Sequence, residues 1–114
     1  MHEFSLAQGL VNQLLQLAEQ HGAAEITTVR VNIGTLSGIV IDSFSFGFEV
    51  LARENSMLGK AVLEITEIQP EWKCSDCGMS FFSAGVPDGC RTCSSCRLVR
   101  SGGGELILTQ VEME

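Results

Sequence analysis

The cysteines constrain the fold of this chain more than any other feature, because all five lie between positions 74 and 96. Cys74 and Cys77 form one C-x₂-C pair, and after twelve residues Cys90, Cys93 and Cys96 follow at the same spacing. Such a pair lets two thiolates from one tight turn bind the same ion, and two pairs at this separation can close a tetrahedral site of four sulfurs. The sequence therefore predicts a structural zinc site in this segment.

The spacing alone leaves the second pair of ligands open, because zinc needs only four. Cys74 and Cys77 supply the first pair, and either Cys90 with Cys93 or Cys93 with Cys96 supplies the second. Iron is an alternative metal: the last three cysteines resemble part of an iron–sulfur cluster run, although its fourth cysteine and proline are missing. A single iron ion held by four sulfurs is a further alternative. Four sulfur ligands leave no open metal position, and the usual hydrolase and phosphate-loop motifs are missing, so we expect no enzyme.

Length and charge narrow the class of protein. At 114 residues the chain suits one domain that carries a small module. The net charge of −7 disfavours nucleic acid as a partner, because phosphate neutralisation needs a basic face. No apolar run approaches the length of a membrane span, the N-terminus lacks signal-peptide character, and an odd number of cysteines fits a reducing compartment. We therefore expect a cytoplasmic protein that does not bind membranes.

The apolar pattern predicts an α+β fold. Leucines at helical spacing predict a first helix with Ser5 as its N-cap, residues 1–4 before it, and a stop at Gly22. An alternating pattern predicts a strand over 25–33. Asp42 is then expected to be the N-cap of a second helix.

Two further β-like runs frame the cysteine segment, at 61–68 and 105–112. A short terminal strand is not stable alone, so the last run is expected to return to the first sheet. The glycines at 102–104 are expected to form a hinge. We predict two helices packed on a small mixed β-sheet, with an inserted zinc-ribbon-like module. The predicted domains are 1–69 plus 104–114, and a zinc-binding module at 70–103.

The first residues, Met1-His2-Glu3, offer a second and different kind of metal site. An α-amine, the next backbone nitrogen and the imidazole of residue 2 can close adjacent chelate rings on one cation, which favours Ni(II) or Cu(II). Binding would weaken as the pH falls, since protonated nitrogens do not bind metal. From the residues alone, a frayed and inert terminus is the simpler interpretation.

Taken in order, the motifs of this chain resemble those of the hydrogenase nickel-maturation protein family HypA/HybF. The resemblance spans the whole length of the chain. It is carried by Met1-His2-Glu3, Ser5-Leu-Ala-Gln8, Ile33-Gly-Thr-Leu-Ser-Gly38, the paired cysteines and the Glu105-Leu strand that ends in Val111-Glu.

This resemblance implies a nickel metallochaperone that delivers Ni(II), as cargo, to [NiFe]-hydrogenase and in some bacteria to urease. It implies that the imidazole of His2 and nearby backbone nitrogens bind the nickel, with Glu3 in a supporting role. It also implies a structural zinc ion, and partners in the GTPase HypB and the hydrogenase large subunit. The zinc ligands carried over by position are Cys74, Cys77, Cys90 and Cys93.

The chain departs from the family pattern after Cys93. The family commonly has Gly-Ser there, whereas this chain has Ser94-Ser95-Cys96, so exchange among the last three cysteines stays open. Whether the protein is a monomer or a dimer also stays open. The alternative function is a zinc-ribbon adaptor that binds protein or nucleic acid and has no nickel role.

Overall fold

The computed structural model describes residues 2–114 and confirms the predicted α+β fold class. Its helices are α1 (His2–Gln20) and α2 (Ile41–Arg53). The strands are β1 (Ile26–Gly34), β2 (Val62–Ile68), β3 (Glu71–Cys74), β4 (Ser80–Phe82), β5 (Leu98–Ser101) and β6 (Leu106–Met113). They form two three-stranded sheets, in the orders β2-β1-β6 and β4-β3-β5.

Helix α1 begins three residues earlier than the sequence predicts. It starts at His2, so the prediction of Ser5 as the N-cap is wrong, and residues 2–4 are helical where the sequence predicts that they precede the helix. The physical reason lies partly in Glu3, whose carboxylate in the first turn is stabilised by the positive end of the helix dipole. Met1 lies outside the described residues.

The other end of α1 confirms the predicted stop at Gly22. Gly22 has a φ of 64°, in the left-handed region that favours glycine. Its N–H donates to the Glu19 carbonyl at 3.2 Å, and the Ala23 N–H donates to the Ala18 carbonyl at 2.9 Å. These bonds give donors to carbonyl groups of the last turn that no N–H inside the helix reaches.

Helix α2 has Val40 as its N-cap, and no side chain of that residue caps it. The prediction of Asp42 as the N-cap is therefore wrong. Asp42 lies inside the first turn instead, where its negative charge is also favourable. The start of α2 consequently depends on a group from elsewhere in the chain.

The chain forms two compact units. The first takes in the residues up to Val31, together with Ile39–Ile65 and Leu108–Glu114. In it α1 packs against α2, and each helix has one buried apolar side. The buried apolar residues of this unit are Ala7, Leu10, Val11, Leu14, Ala18, Ile26, Val29, Val31, Phe44, Phe48, Ala52 and Leu58.

Strands β1 and β2 run parallel, with α2 as the connection between them. The Ile26 N–H donates to the carbonyl of Met57, which precedes β2, and the Thr35 N–H donates to the Ile68 carbonyl at the end of β2, both at 2.9 Å. Contacts that advance together along both chains define a parallel pair. A helix is the usual connection between such strands.

Strands β1 and β6 run antiparallel. The Glu114 N–H donates to the Glu25 carbonyl and the Gly34 N–H donates to the Glu105 carbonyl, both at 2.8 Å. The sheet is therefore mixed, and the terminal strand returns to the first sheet as predicted. Between β2 and β6 the chain makes the second sheet, so the cysteine segment is an insertion.

The second unit comprises Asn32–Gly38 and Thr66–Ile107. Its central strand β3 pairs antiparallel with β4 and β5, and Trp72 lies opposite Phe81 and Arg100. This small sheet supports the cysteine turns. The domain boundaries that the sequence suggests stay a prediction.

The glycines at 102–104 belong to a packed turn of this unit and do not form the expected free hinge. Gly103 is buried, with a φ of 84°. Its N–H donates to Oε1 of Glu105 at 2.9 Å, and its carbonyl accepts the Leu36 N–H at 2.8 Å. A pattern of consecutive glycines gives the backbone freedom that such a turn needs, and packing then removes that freedom.

Candidate metal centres

Four of the five cysteines come together at one end of β3. The sulfur atoms of Cys74, Cys77, Cys90 and Cys93 all lie within 4.8 Å of one another. Two contacts cross between the pairs: Cys74 to Cys93 and Cys77 to Cys90, each 3.6 Å between sulfurs. A zinc ion about 2.3 Å from each ligand sets tetrahedral sulfurs about 3.8 Å apart, so the four thiols fit such an ion.

The two C-x₂-C turns have the same backbone conformation. The Gly78 N–H donates to the Cys74 carbonyl at 2.9 Å, and the Ser94 N–H donates to the Cys90 carbonyl at 2.9 Å. Each donor follows the second cysteine of its pair, and each has a positive φ: 78° for Gly78 and 64° for Ser94. The serine thus takes the conformation for which the first turn uses glycine. Sequence reasoning missed this equivalence because serine carries no signal for the left-handed region.

Backbone N–H groups also point at the sulfur atoms. The Cys77 N–H donates to Cys74 Sγ at 3.5 Å, and the Thr92 N–H donates to Cys90 Sγ at 3.4 Å. Donors of this kind stabilise the thiolate, which is the form of cysteine that binds metal. The first residue of each pair is therefore prepared as a ligand.

Contacts around the cluster shift the pKa values of the cysteine thiols in opposite directions. Backbone N–H groups, of Cys93 first and of Thr92 second, lower the pKa of Cys90 to about 6. At Cys93 a hydrogen bond from the Ser95 backbone lowers the pKa, but contacts with Cys74 and the other thiols, together with burial, outweigh it and raise the pKa to about 12. A divalent cation among the sulfurs favours the charged form of all four.

Cys96 lies outside this cluster, and its side chain is exposed. The structure thus brings Cys90 and Cys93 to the first pair and does not use the alternative pair of Cys93 with Cys96. Its neighbour Ser95 is hydrogen-bonded to both cysteine turns, through Oδ2 of Asp76 and the Cys90 N–H.

At the other predicted site, His2 is exposed at the first turn of α1. The first four N–H groups of a helix have no acceptor inside it, so the backbone nitrogens here are not held in the helical ladder. Oε2 of Glu3 accepts the Val40 N–H at 3.3 Å, at the uncapped start of α2. Hydrogen bonds from the backbone N–H groups of Glu3 itself and of Val40 lower the pKa of the Glu3 carboxyl.

Comparison with known proteins identifies the class. The profile of one family, described as "Hydrogenase/urease nickel incorporation, metallochaperone, hypA", matches residues 1–113. The chain belongs to the HypA family. Its function class is therefore nickel incorporation as a metallochaperone in hydrogenase maturation.

Relatives and solved structures agree with this assignment along the whole chain. The hydrogenase maturation factor HypA of Caldanaerobacter subterraneus is 34% identical, with 100% of each chain covered. That of Nitrosospira multiformis is 33% identical, covering 99% of this chain and 97% of the relative. The Ni metallochaperone HypA from Helicobacter pylori has a similar solution structure, with a TM-score of 0.67, 28% identity and coverage of 97% and 96%. Another HypA solution structure gives a TM-score of 0.72, 30% identity and coverage of 100% and 97%.

Proposed function

We propose that this HypA-family protein takes up Ni(II) at its N-terminal end and delivers it during the maturation of [NiFe]-hydrogenase. The observation that carries the proposal is the family match, which includes the N-terminal residues and the cysteine pairs in one continuous alignment. The family description covers urease as well, so a urease is the second possible acceptor of the metal.

The nickel ligands in this proposal are the imidazole of His2 and nearby backbone nitrogens, the α-amine among them. Support comes from the exposure of His2 and from its place at a helix start, where metal binding by backbone nitrogen breaks no helical hydrogen bond. Glu3 supports the site from the next position. Because its carboxylate accepts the Val40 N–H, it ties the first turn of α1 to the first turn of α2 and limits the motion of the ligand-bearing backbone.

The zinc ligands in this proposal are Cys74, Cys77, Cys90 and Cys93, whose sulfur atoms have the separations that a tetrahedral ion needs. When bound, zinc supplies a cross-link between the two turns and no open position for a reactant. A purely structural ion of this kind fits a protein that is not an enzyme. The four thiols hold the two turns together: the first turn begins where β3 ends, and the second turn precedes β5.

Release of the cargo follows from the same nitrogen ligands. A solvent-exposed site at a helix start lets an acceptor replace the ligands one at a time. Protons compete with nickel for the imidazole and the amine, so nickel affinity is expected to fall between mildly alkaline and mildly acidic pH.

The partners in this proposal are the GTPase HypB and the hydrogenase large subunit, in the cytoplasm. None of the helices in residues 2–114 combines the length and the apolar composition of a membrane span. Nine of the fourteen acidic residues but only three of the seven basic residues lie in the first unit. Its charge favours a basic protein surface over nucleic acid.

A nickel titration of the full chain with its native N-terminus tests the proposal. His2→Ala is expected to abolish high-affinity nickel binding, whereas His21→Ala, which changes an exposed histidine past the end of α1, keeps it. Nickel absorption bands and calorimetry report binding. Unchanged binding by the His2→Ala protein would refute the proposed nickel site. Failure of the wild-type protein to bind nickel would favour a zinc-ribbon adaptor without a nickel role.

A further inference from the structure

The two cysteine turns are joined, beyond the sulfur atoms, by hydrogen bonds that converge on Asp76. This residue lies between the two cysteines of the first turn. Its Oδ2 accepts a hydrogen bond from Ser95 Oγ, and its Oδ1 accepts one from Nη1 of Arg97 at 3.2 Å. Ser95 Oγ in turn accepts the Arg97 N–H at 3.1 Å. We call Asp76, Ser95 and Arg97 the Asp76 clamp.

Backbone hydrogen bonds fix the same residues a second time. The Cys90 N–H donates to the Ser95 carbonyl at 2.7 Å, and the Ser75 N–H donates to the Arg97 carbonyl at 2.8 Å. Positions 95 and 97 are thus held against both turns. Cys96 lies between them and cannot move toward the sulfur cluster unless these contacts break.

From this geometry we propose that the Asp76 clamp selects Cys93 rather than Cys96 as the fourth zinc ligand. The inference rests on the zinc ligand set proposed above. Sequence spacing does not decide between the two thiols, because Cys93 and Cys96 repeat the C-x₂-C pattern of Cys90 and Cys93. The clamp decides, because it holds Ser95 against the first turn and leaves Cys96 exposed outside the cluster.

The clamp also accounts for the residues by which the chain departs from the family pattern. An additional thiol three positions beyond a zinc ligand is a competitor for the metal. Ser95 limits this competition because its hydroxyl donates to Asp76 and accepts the Arg97 N–H, which holds the neighbouring Cys96 outside the cluster. Arg97 forms an ion pair with Asp76, which offsets the negative charge that Asp76 adds beside four thiolates around one Zn²⁺.

Brief alkylation of the zinc-loaded full-length protein with iodoacetamide, followed by peptide mapping, tests this inference. In the wild-type protein we expect label on Cys96 only. In Ser95→Ala and Asp76→Asn we expect label on Cys93 as well, and zinc transfer to a chelator that is about tenfold faster. Asp88→Asn, which changes an exposed carboxylate of the same unit, is the control and is expected to match the wild type.

A double variant separates selection from simple rigidity. If Cys96 competes for the metal when the clamp is lost, Ser95→Ala with Cys96→Ser restores the wild-type rate of zinc transfer. A double variant as fast as Ser95→Ala overturns the inference, and so does protection of Cys93 in both clamp variants. Label on Cys93 with protection of Cys96 in the wild-type protein has a different meaning, because it refutes the proposed ligand set itself.

Discussion

Alanine at Gly103 tests how the unit that carries the cysteines is held together. Gly103 and Gly102 have φ values of 84° and 76°, so alanine at either position must adopt the left-handed region, at a cost of about 1–2 kcal/mol. Only Gly103 is crowded as well. A Cβ there would lie 2.6 Å from Cβ and 2.8 Å from Cδ of Pro70, whereas at Gly102 the nearest atom is Oε2 of Glu105 at 3.5 Å.

The difference between the two substitutions isolates the steric contribution. Pro70 is fully buried, and its ring is rigid, so it cannot yield as a flexible side chain would. Overpacking of this kind costs about 1–3 kcal/mol beyond the backbone effect. We therefore expect Gly102→Ala to lower the free energy of unfolding by about 1 kcal/mol and Gly103→Ala by about 3 kcal/mol.

Urea unfolding at equal free zinc concentration measures both values. Trp72 is the single tryptophan of the chain, is 7% exposed and lies two residues from Pro70, so its fluorescence reports this unit. With a slope of about 1–2 kcal/mol/M for a chain of this size, the two midpoints should differ by about 1–2 M. Equal destabilisation by the two variants would refute the packing of Gly103 on Pro70.

Two further predictions concern the first unit. Gly9 is an exposed residue of α1 where an added Cβ would meet no atom within 4 Å, so Gly9→Ala should raise the free energy of unfolding by about 1 kcal/mol. Gly22 has a φ of 64°, so Gly22→Ala should lower the free energy of unfolding by a similar amount. Thermal unfolding of the two variants and the wild type measures both changes. Because backbone hydrogen bonds from Glu3 and Val40 lower the Glu3 pKa, its capping contact is complete above the ordinary value of 4.5 and is lost only as the pH falls through the lowered value. Glu3 therefore keeps its charge on mild acidification, and Glu3→Gln should leave the pH midpoint of nickel release unchanged in a nickel titration.

The features predictable from the sequence are those that depend on neighbouring residues. The C-x₂-C pairs, the helix stop at Gly22 and the alternation in β1 each contain their own physical cause within a few positions. The predictions of helix starts at Ser5 and Asp42 were wrong because the start of a helix can depend on residues far away in the sequence. The N-cap of α2 is Val40, and its N–H is accepted by the carboxylate of Glu3, 37 positions away, which no local pattern can indicate.

The same distinction explains what the sequence left open at the cysteines. Spacing gives Cys93 two equivalent partners, one on each side. The contact that separates them joins Asp76 to Ser95, across the gap between the two turns, and depends on the fold. Ser94 in the left-handed region is a further case, because its conformation is imposed by the turn and is not a preference of serine.

The central claim is that cargo and structural metal bind at separate places, nickel at the N-terminal end and zinc at the cysteines. Its most direct test is the content of both metals after nickel loading, measured for the native chain and for a chain extended by a few residues before Met1. The native chain should hold about one nickel and about one zinc, and the extended chain should keep its zinc and lose its nickel. Equal nickel in both proteins, or nickel gained only as zinc is lost, would contradict the claim.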